Sequence, residues 1–160
     1  GLLPTPSKSH YTFNLRDISK VFQGILMVGP EAIKATKDLV CLWTHETSRV
    51  FCDRLTEKKD IDWYVNLMSE SLKTHFKTKL IDVYEDINME DTKDKGKEKL
   101  LLYADFGDNK GKRMYKQVMG LTKFKEIVTN QLEDYNSMTT SGKMNLVLFN
   151  AALEHVARIA

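Results

Sequence analysis

The sequence is poor in the features that assign a protein to a specialised class. Its 160 residues include only two cysteines, three prolines and eight glycines, and 24 Lys and Arg face 22 Asp and Glu. A net charge of +2 is too small to predict a nucleic-acid or membrane surface. No apolar run approaches the roughly 20 residues of a membrane span, and residues 1–11 lack the apolar stretch of a secretory signal.

What is present is the composition of an ordinary globular chain, with 42% apolar and 29% charged residues. Cys41 and Cys52 lie in one helical pattern about 16 Å apart, too far for a disulfide, which predicts two reduced thiols. The four histidines are isolated from one another, and no metal-ligand spacing is found. The chain is therefore expected to fold on its apolar core, without a metal or a disulfide.

The first helix is the best defined by its ends. Asn14 is a favourable N-cap, and Asp17, three residues later, completes a capping-box pair. Gly29-Pro30 ends the helix. Its apolar residues recur at three- and four-residue steps and form one stripe: Leu15, Ile18, Phe22, Ile25 and Leu26.

The remaining patterns predict a mainly α fold. Helices are expected over 36–55, 61–76, 121–135 and 143–160, with a short helix over 113–118 and a weaker apolar segment at 80–87. Residues 100–106 read as a strand or a buried extended segment. The polar run 88–99 is the best internal boundary and is expected to be a solvated loop.

No motif for catalysis is complete in the sequence. The run Gly107-Asp-Asn-Lys-Gly111-Lys-Arg113 follows an apolar segment, as a phosphate-binding P-loop would. However, three residues rather than four separate its glycines, and Arg113 occupies the place of the Mg²⁺-binding hydroxyl. It is interpreted as a turn, and no catalytic or metal-ligating residue is predicted.

Arg16 is the one chemically suggestive residue. It falls in the first turn of the first helix, where a cation opposes the helix dipole but where an anion is favoured. One interpretation is that Arg16 is exposed and pairs with Asp17 or faces solvent. The other is that it meets a phosphate supplied by a neighbouring surface.

Several blocks of sequence resemble axonemal dynein heavy chains, in the order in which that family has them. They span nearly the whole chain: His10-Tyr-x-Phe-Asn-Leu-Arg-Asp17, Val21-Phe-Gln-Gly24, Leu42-Trp-x-His-Glu46, Arg49-Val-Phe-x-Asp-Arg-Leu55, Tyr103-Ala-Asp-Phe106, Leu132-Glu-Asp-Tyr-Asn136 and Met144-x-Leu-Val-Leu-Phe149. Together these blocks are specific, although each one alone is weak.

The resemblance implies a fold and a division of the chain. Residues 1–95 would be the helical-bundle AAA+ lid of the third module of the motor ring. Residues 96–160 would be a short extended segment and two further helices that begin the fourth module and stop before its Walker A loop. Helix faces that meet other subdomains of the heavy chain would then be exposed in this segment.

The resemblance also implies a role. The lid would close over ATP or ADP of its own module, with Mg²⁺ in the full motor, and relay the movement to the next module. Arg16 would be a sensor-2-like residue on the phosphates, and Tyr11 and Phe13 would flank the nucleotide or pack in the core.

Other expectations concern the setting of this segment. The full motor would hydrolyse ATP and step on microtubules in the axoneme of a cilium or flagellum. This segment lacks Walker A and Walker B, so it is expected to bind no cofactor and to turn over no ATP by itself. The alternative is a free-standing helical adaptor that binds partner helices.

Overall fold

The computed structural model describes residues 2–85, 101–106, 114–118, 120–140 and 142–159. Six α-helices and one two-stranded sheet form the regular structure of these residues, which confirms the mainly α fold. No helix among them combines the length and apolarity needed to cross a bilayer. The loop predicted at 88–99 and the turn predicted at Gly107–Gly111 lie outside the described residues.

The chain divides into two units, Gly1–Glu85 and Asp86–Ala160. The first unit is wholly helical: α1 (Leu15–Met27), α2 (Thr36–Phe51), α3 (Lys58–Ser71) and α4 (Leu80–Glu85). A 3₁₀ turn, Cys52–Arg54, links α2 to α3, and a π-helical turn, Leu72–Phe76, extends α3. The helices predicted over 36–55 and 61–76 are confirmed, with these turns at their C-terminal ends.

The capping box predicted for α1 is present. Asn14 Oδ1 accepts a hydrogen bond from the Arg16 amide at 2.8 Å, and Asp17 Oδ2 accepts one from the Asn14 amide at 3.0 Å. These bonds satisfy amides that the helix itself leaves unpaired. The helix ends at Met27, just before Gly29-Pro30. Local sequence therefore sets both ends of α1.

The face of α1 that packs on α2 is not its apolar stripe. Asp17, Val21 and Gly24 are the buried residues of α1. A Cβ added at Gly24 would overlap the Glu46 carboxylate, which is fully buried in α2. A side chain at position 24 would therefore require the Glu46 carboxylate to move, and the blocks that end in Gly24 and Glu46 meet in space.

The stripe itself lies on the surface of the described residues. Leu15 is 81% exposed, Phe22 61% and Leu26 82%, and Ile18 is exposed as well. Large apolar side chains rarely gather on a surface without a partner. Helix α1 thus presents a polar and small-residue face inward and an apolar face outward.

The thiols behave as their spacing predicts. Cys41 is buried and Cys52 is half-buried, and no disulfide joins them. The Cys41 thiol lies 3.7 Å from the Val83 carbonyl oxygen, so α2 and α4 are in contact there.

The second unit contains β1 (Tyr103–Ala104), β2 (Lys116–Gln117), α5 (Leu121–Met138) and α6 (Asn150–Ile159). The strands are antiparallel, with Tyr103 opposite Gln117 and Ala104 opposite Lys116. Side chains from the segment that includes β1, from α5, from the segment before α6 and from α6 form a core among the described residues of this unit: Leu102, Ala104, Phe124, Leu148, Leu153 and Ala157. The extended segment at 100–106 and the helix at 121–135 are confirmed over the described residues.

The short helix predicted over 113–118 is wrong. Within the described residues 114–118 the chain is extended and forms β2, and the Val118 amide donates to the Leu102 carbonyl at 2.9 Å. A short helix by itself gains few hydrogen bonds to offset its nucleation cost, so tertiary contacts decide whether it forms. Pairing with the buried β1 instead satisfies backbone groups that water cannot reach.

The prediction of a final helix from Lys143 is also wrong at its start, because α6 begins at Asn150. The Asn136 side chain donates to the Met144 carbonyl at 3.0 Å and accepts from the Met144 amide at 2.8 Å. One side-chain amide therefore takes up both backbone groups of Met144. This tertiary contact, together with the burial of Leu148 in the core, holds residues 143–149 outside the helix.

Candidate functional site

The segment that leads into α1 is anchored to the start of α3. Tyr11 is 1% exposed, and its hydroxyl donates to Asp60 Oδ2 at 3.0 Å and accepts from the Thr56 amide at 3.1 Å. The Lys8 ammonium reaches the same carboxylate oxygen at 2.6 Å. The hydrogen bond from Lys8 lowers the pKa of Asp60, and the bond to Asp60 in turn raises the pKa of Lys8. Lys8 and Tyr11 therefore share one buried carboxylate, that of Asp60.

A second anchor is Arg54, at the end of the turn that follows α2. Its Nη1 donates to the Thr12 carbonyl at 3.2 Å, and its two terminal nitrogens donate to the two carboxylate oxygens of Asp17 at 3.2 and 2.5 Å. Its guanidinium carbon lies 5.7 Å from the centroid of the Phe13 ring. The backbone of Arg54 takes part too, because its carbonyl accepts from His10 Nε2 at 3.0 Å.

Asp17 both caps α1 and forms an ion pair with Arg54. Its carboxylate is 2% exposed and accepts from Arg54 and from the Asn14 amide, and these bonds lower the pKa of Asp17 to about 2. It therefore stays ionised at neutral pH, where its negative charge also complements the N-terminal end of the α1 dipole. Lys20, one turn on, lies 3.5 Å away.

Arg16 is the charged residue that these contacts leave out. Its amide binds Asn14, but its side chain is exposed and its guanidinium makes no hydrogen bond or ion pair with any described residue. The pairing of Arg16 with Asp17 considered above is not formed, because Arg54 occupies that carboxylate. The N-terminal turn of α1 thus exposes a cation that none of the described residues neutralises.

Tyr11 and Phe13 are placed differently from each other. Tyr11 is in the core, as described. Phe13 is half-buried, with its ring centroid 5.8 Å from that of Phe51. It lines an apolar cavity of about 360 Å³ whose walls are Leu2, Phe13, Thr47, Phe51, Leu55, Trp63, Tyr64 and Leu67. Contact of either residue with a nucleotide stays a prediction.

The sequence patterns did not single out two residues that hold this segment, Arg54 and Asp60. Arg54 belongs to the block Arg49-Val-Phe-x-Asp-Arg-Leu55, and its presence in that block is the signal that could have singled it out. Asp60 lies in the polar run after α2, where an exposed carboxylate is the normal expectation. Only the folded chain shows that Lys8 and Tyr11 meet it.

An exposed arginine in the first turn of a helix is a candidate contact for an anion. A partner-less guanidinium at a helix N-terminus is suited to phosphate, which accepts paired hydrogen bonds from arginine. Among the described residues no three His, Cys, Asp or Glu side chains gather as metal ligands would.

Comparisons with known proteins find a matching family and several relatives. Residues 1–90 match the AAA+ lid domain family. Over 99% of its length the chain is 39% identical to dynein axonemal heavy chain 12 of Rattus norvegicus and 38% identical to dynein axonemal heavy chain 1 of Homo sapiens. It is likewise 38% identical over 99% of its length to the ciliary dynein beta chain of Tripneustes gratilla.

The chain spans only 5% of the first of these relatives and 3% of each of the other two. The lid match covers the four-helix unit in which Arg16 lies. The likeness to the dyneins extends through both units. The chain belongs to the AAA+ lid domain family, with the lid at residues 1–90, and to the axonemal dynein heavy chains.

Proposed function

We propose that the first unit is a lid that closes over the phosphates of ATP or ADP bound by its own AAA+ module, with Arg16 as the contact. The observation that carries the proposal is the exposed Arg16 guanidinium, which has no partner among the described residues. The only carboxylate beside it in sequence, Asp17, is bound by Arg54.

The electrostatics support a phosphate in this place. A cation in the first turn of a helix destabilises the helix by roughly 0.3–1 kcal/mol when no anion compensates it. A bound phosphate reverses the sign, since it attracts both the guanidinium and the amides of the turn. Arginine suits this contact better than lysine because its planar fork can bind two oxygens at once.

The candidates Tyr11 and Phe13 have distinct roles in the proposal. Tyr11 acts by holding the segment before Arg16, because its ring and hydroxyl are buried. Phe13 borders the apolar cavity and contacts the Arg54 guanidinium. Neither would need to touch phosphate for the lid to work.

The outer face of α1 supports the mechanical half of the proposal. The helix that carries Arg16 also displays Leu15, Phe22 and Leu26 to solvent. We assign this face to a neighbouring AAA+ subdomain of the same heavy chain. When the lid closes on nucleotide, α1 would then move both Arg16 and the docked subdomain, and the movement would reach the next module.

The wider role follows from the relatives and is part of the same proposal. The relatives are named as axonemal and ciliary dyneins. We infer that the complete chain is an ATP-hydrolysing motor that acts on microtubules in the axoneme. The phosphate-binding loop and the Mg²⁺ ligands of the module would be supplied by its large subdomain, outside this lid.

The test is Arg16→Ala in the complete heavy chain, with Lys20→Ala as the matched control. Both residues are exposed cations of α1, but only Arg16 lies in its first turn. Loss of one charge-assisted contact should speed ADP release about tenfold, without lowering the melting temperature. Lys20→Ala should leave release unchanged. Unchanged ADP affinity and release in the Arg16 variant would contradict the proposal.

A further inference from the structure

Arg54 binds the chain on both sides of Arg16. Its guanidinium donates to the Thr12 carbonyl, four residues before Arg16, and to the Asp17 carboxylate, directly after Arg16. We propose that Arg54 is a positioning residue for Arg16, so that the turn between α2 and α3 sets the direction in which the phosphate contact is made. This inference rests on the proposed role of Arg16 in nucleotide binding.

The contacts explain why this turn would control Arg16. Neither residues 11–14, which precede α1, nor residues 28–35, which join α1 to α2, are α-helical, so the direction of α1 relative to α2 depends on tertiary bonds rather than on a continuous helix. Arg54 supplies three of these bonds from its guanidinium, and His10 adds one to its carbonyl. A movement of the turn Cys52–Arg54 must therefore also move the first turn of α1.

The geometry requires arginine and not merely a positive charge. Asp17 is held by two nitrogens of one planar group, and one of these nitrogens also serves the Thr12 carbonyl. A lysine has one nitrogen on a flexible stem and cannot reproduce this fork. Arg54→Lys should thus keep the charge in place and lose the alignment.

The chain offers a close control in Arg49. Its Nε and Nη2 donate to Oε2 of the buried Glu46 at 3.1 and 2.7 Å. The side chains of Arg49 and Arg54 are exposed to a similar degree. Yet the pair of Arg49 and Glu46 lies within α2 and does not involve residues 10–17. Arg49→Lys should therefore lower stability as Arg54→Lys does, without touching the entry to α1.

The experiment is a double-mutant cycle in the complete heavy chain. The rate of release of a fluorescent ADP analogue is measured for Arg16→Ala, Arg54→Lys, their combination and Arg49→Lys. We expect the first two to speed release by about threefold to tenfold each, and the combination to be no faster than Arg16→Ala alone. Arg49→Lys should release ADP at the unaltered rate, despite a similar loss in melting temperature.

Each other outcome is decisive. If Arg54→Lys leaves release unchanged, adds fully to Arg16→Ala, or is matched by Arg49→Lys, the positioning role is overturned while the phosphate role of Arg16 stands. If Arg16→Ala itself has no effect, the proposed function fails and the positioning role fails with it. The cycle thus separates the two ideas.

Discussion

Arg54 and Asp17 form a two-pronged ion pair although 37 residues separate them in the sequence. The pair joins the turn after α2 to the first turn of α1, and the carboxylate lies buried beneath it. Asp17 serves the capping box of its own helix at the same time. One carboxylate therefore links the start of α1 to the turn after α2, and the neighbouring Arg16 side chain has no partner in the part of the chain that the structure describes.

The Asp17 pair predicts how acid affects this lid. The folded-state pKa of Asp17 is about 2, below its ordinary value of 3.8, so the stability it contributes is present above about pH 4 and is lost as the pH falls toward 2. Denaturant unfolding of the 160-residue chain should show this loss between pH 4 and 2.

Asp17→Asn provides the comparison, because the amide cannot titrate. This variant should be less stable than the unaltered chain near pH 6, and the gap should narrow as acid is added. Two curves that fall in parallel from pH 4 to 2 would show that Asp17 does not carry the effect.

The contact of Gly24 with Glu46 predicts that Gly24→Ala lowers the free energy of unfolding, the opposite of what helix propensity predicts. Alanine is favoured over glycine inside a helix by about 1 kcal/mol. Here the added methyl would overlap a buried carboxylate that Arg49 holds in place, and overpacking costs about 1–3 kcal/mol. Gly24→Ala should therefore give a net destabilisation, measured as a lower free energy of unfolding.

Ser19→Ala is the control for this prediction, since Ser19 lies exposed on the same helix. It should leave stability unchanged or raise it slightly, as propensity alone would predict. A Gly24→Ala variant as stable as Ser19→Ala would mean that α1 and α2 can separate enough to admit the methyl group.

The exposed face of α1 predicts that the chain by itself associates with its own copies. Phe22 and Leu26 are among its most exposed apolar residues, and an apolar patch without its partner tends to be covered by another. Sedimentation velocity should show weight-average size rising with concentration. Phe22→Glu with Leu26→Lys should reduce that rise without lowering the melting temperature, because neither side chain is buried.

Gln23→Glu, on the same surface, is the matched control, because it adds charge without removing apolar area. It should leave association nearly unchanged. Association that persists in the Phe22 and Leu26 variant would place the contact on another surface.

The bounds of helix α1 could be predicted from the sequence alone. Its bounds follow from Asn14, Asp17 and Gly29-Pro30, because capping bonds and helix termination involve residues only a few positions apart. The family blocks likewise identified the lid region, and Arg16 was singled out by its place in the first turn. These features need no knowledge of distant contacts.

The tertiary structure decided what the local pattern could not. Lys116–Gln117 forms a strand because a partner strand lies beside it. Helix α6 starts later than predicted because Asn136 binds the backbone of Met144. The stripe of α1 faces outward because Asp17 and Gly24 have closer partners on α2 and its turn. Whether Arg16 was paired or unpaired depended on Arg54, far away in sequence, since charges and hydrogen bonds act through space and not along the chain.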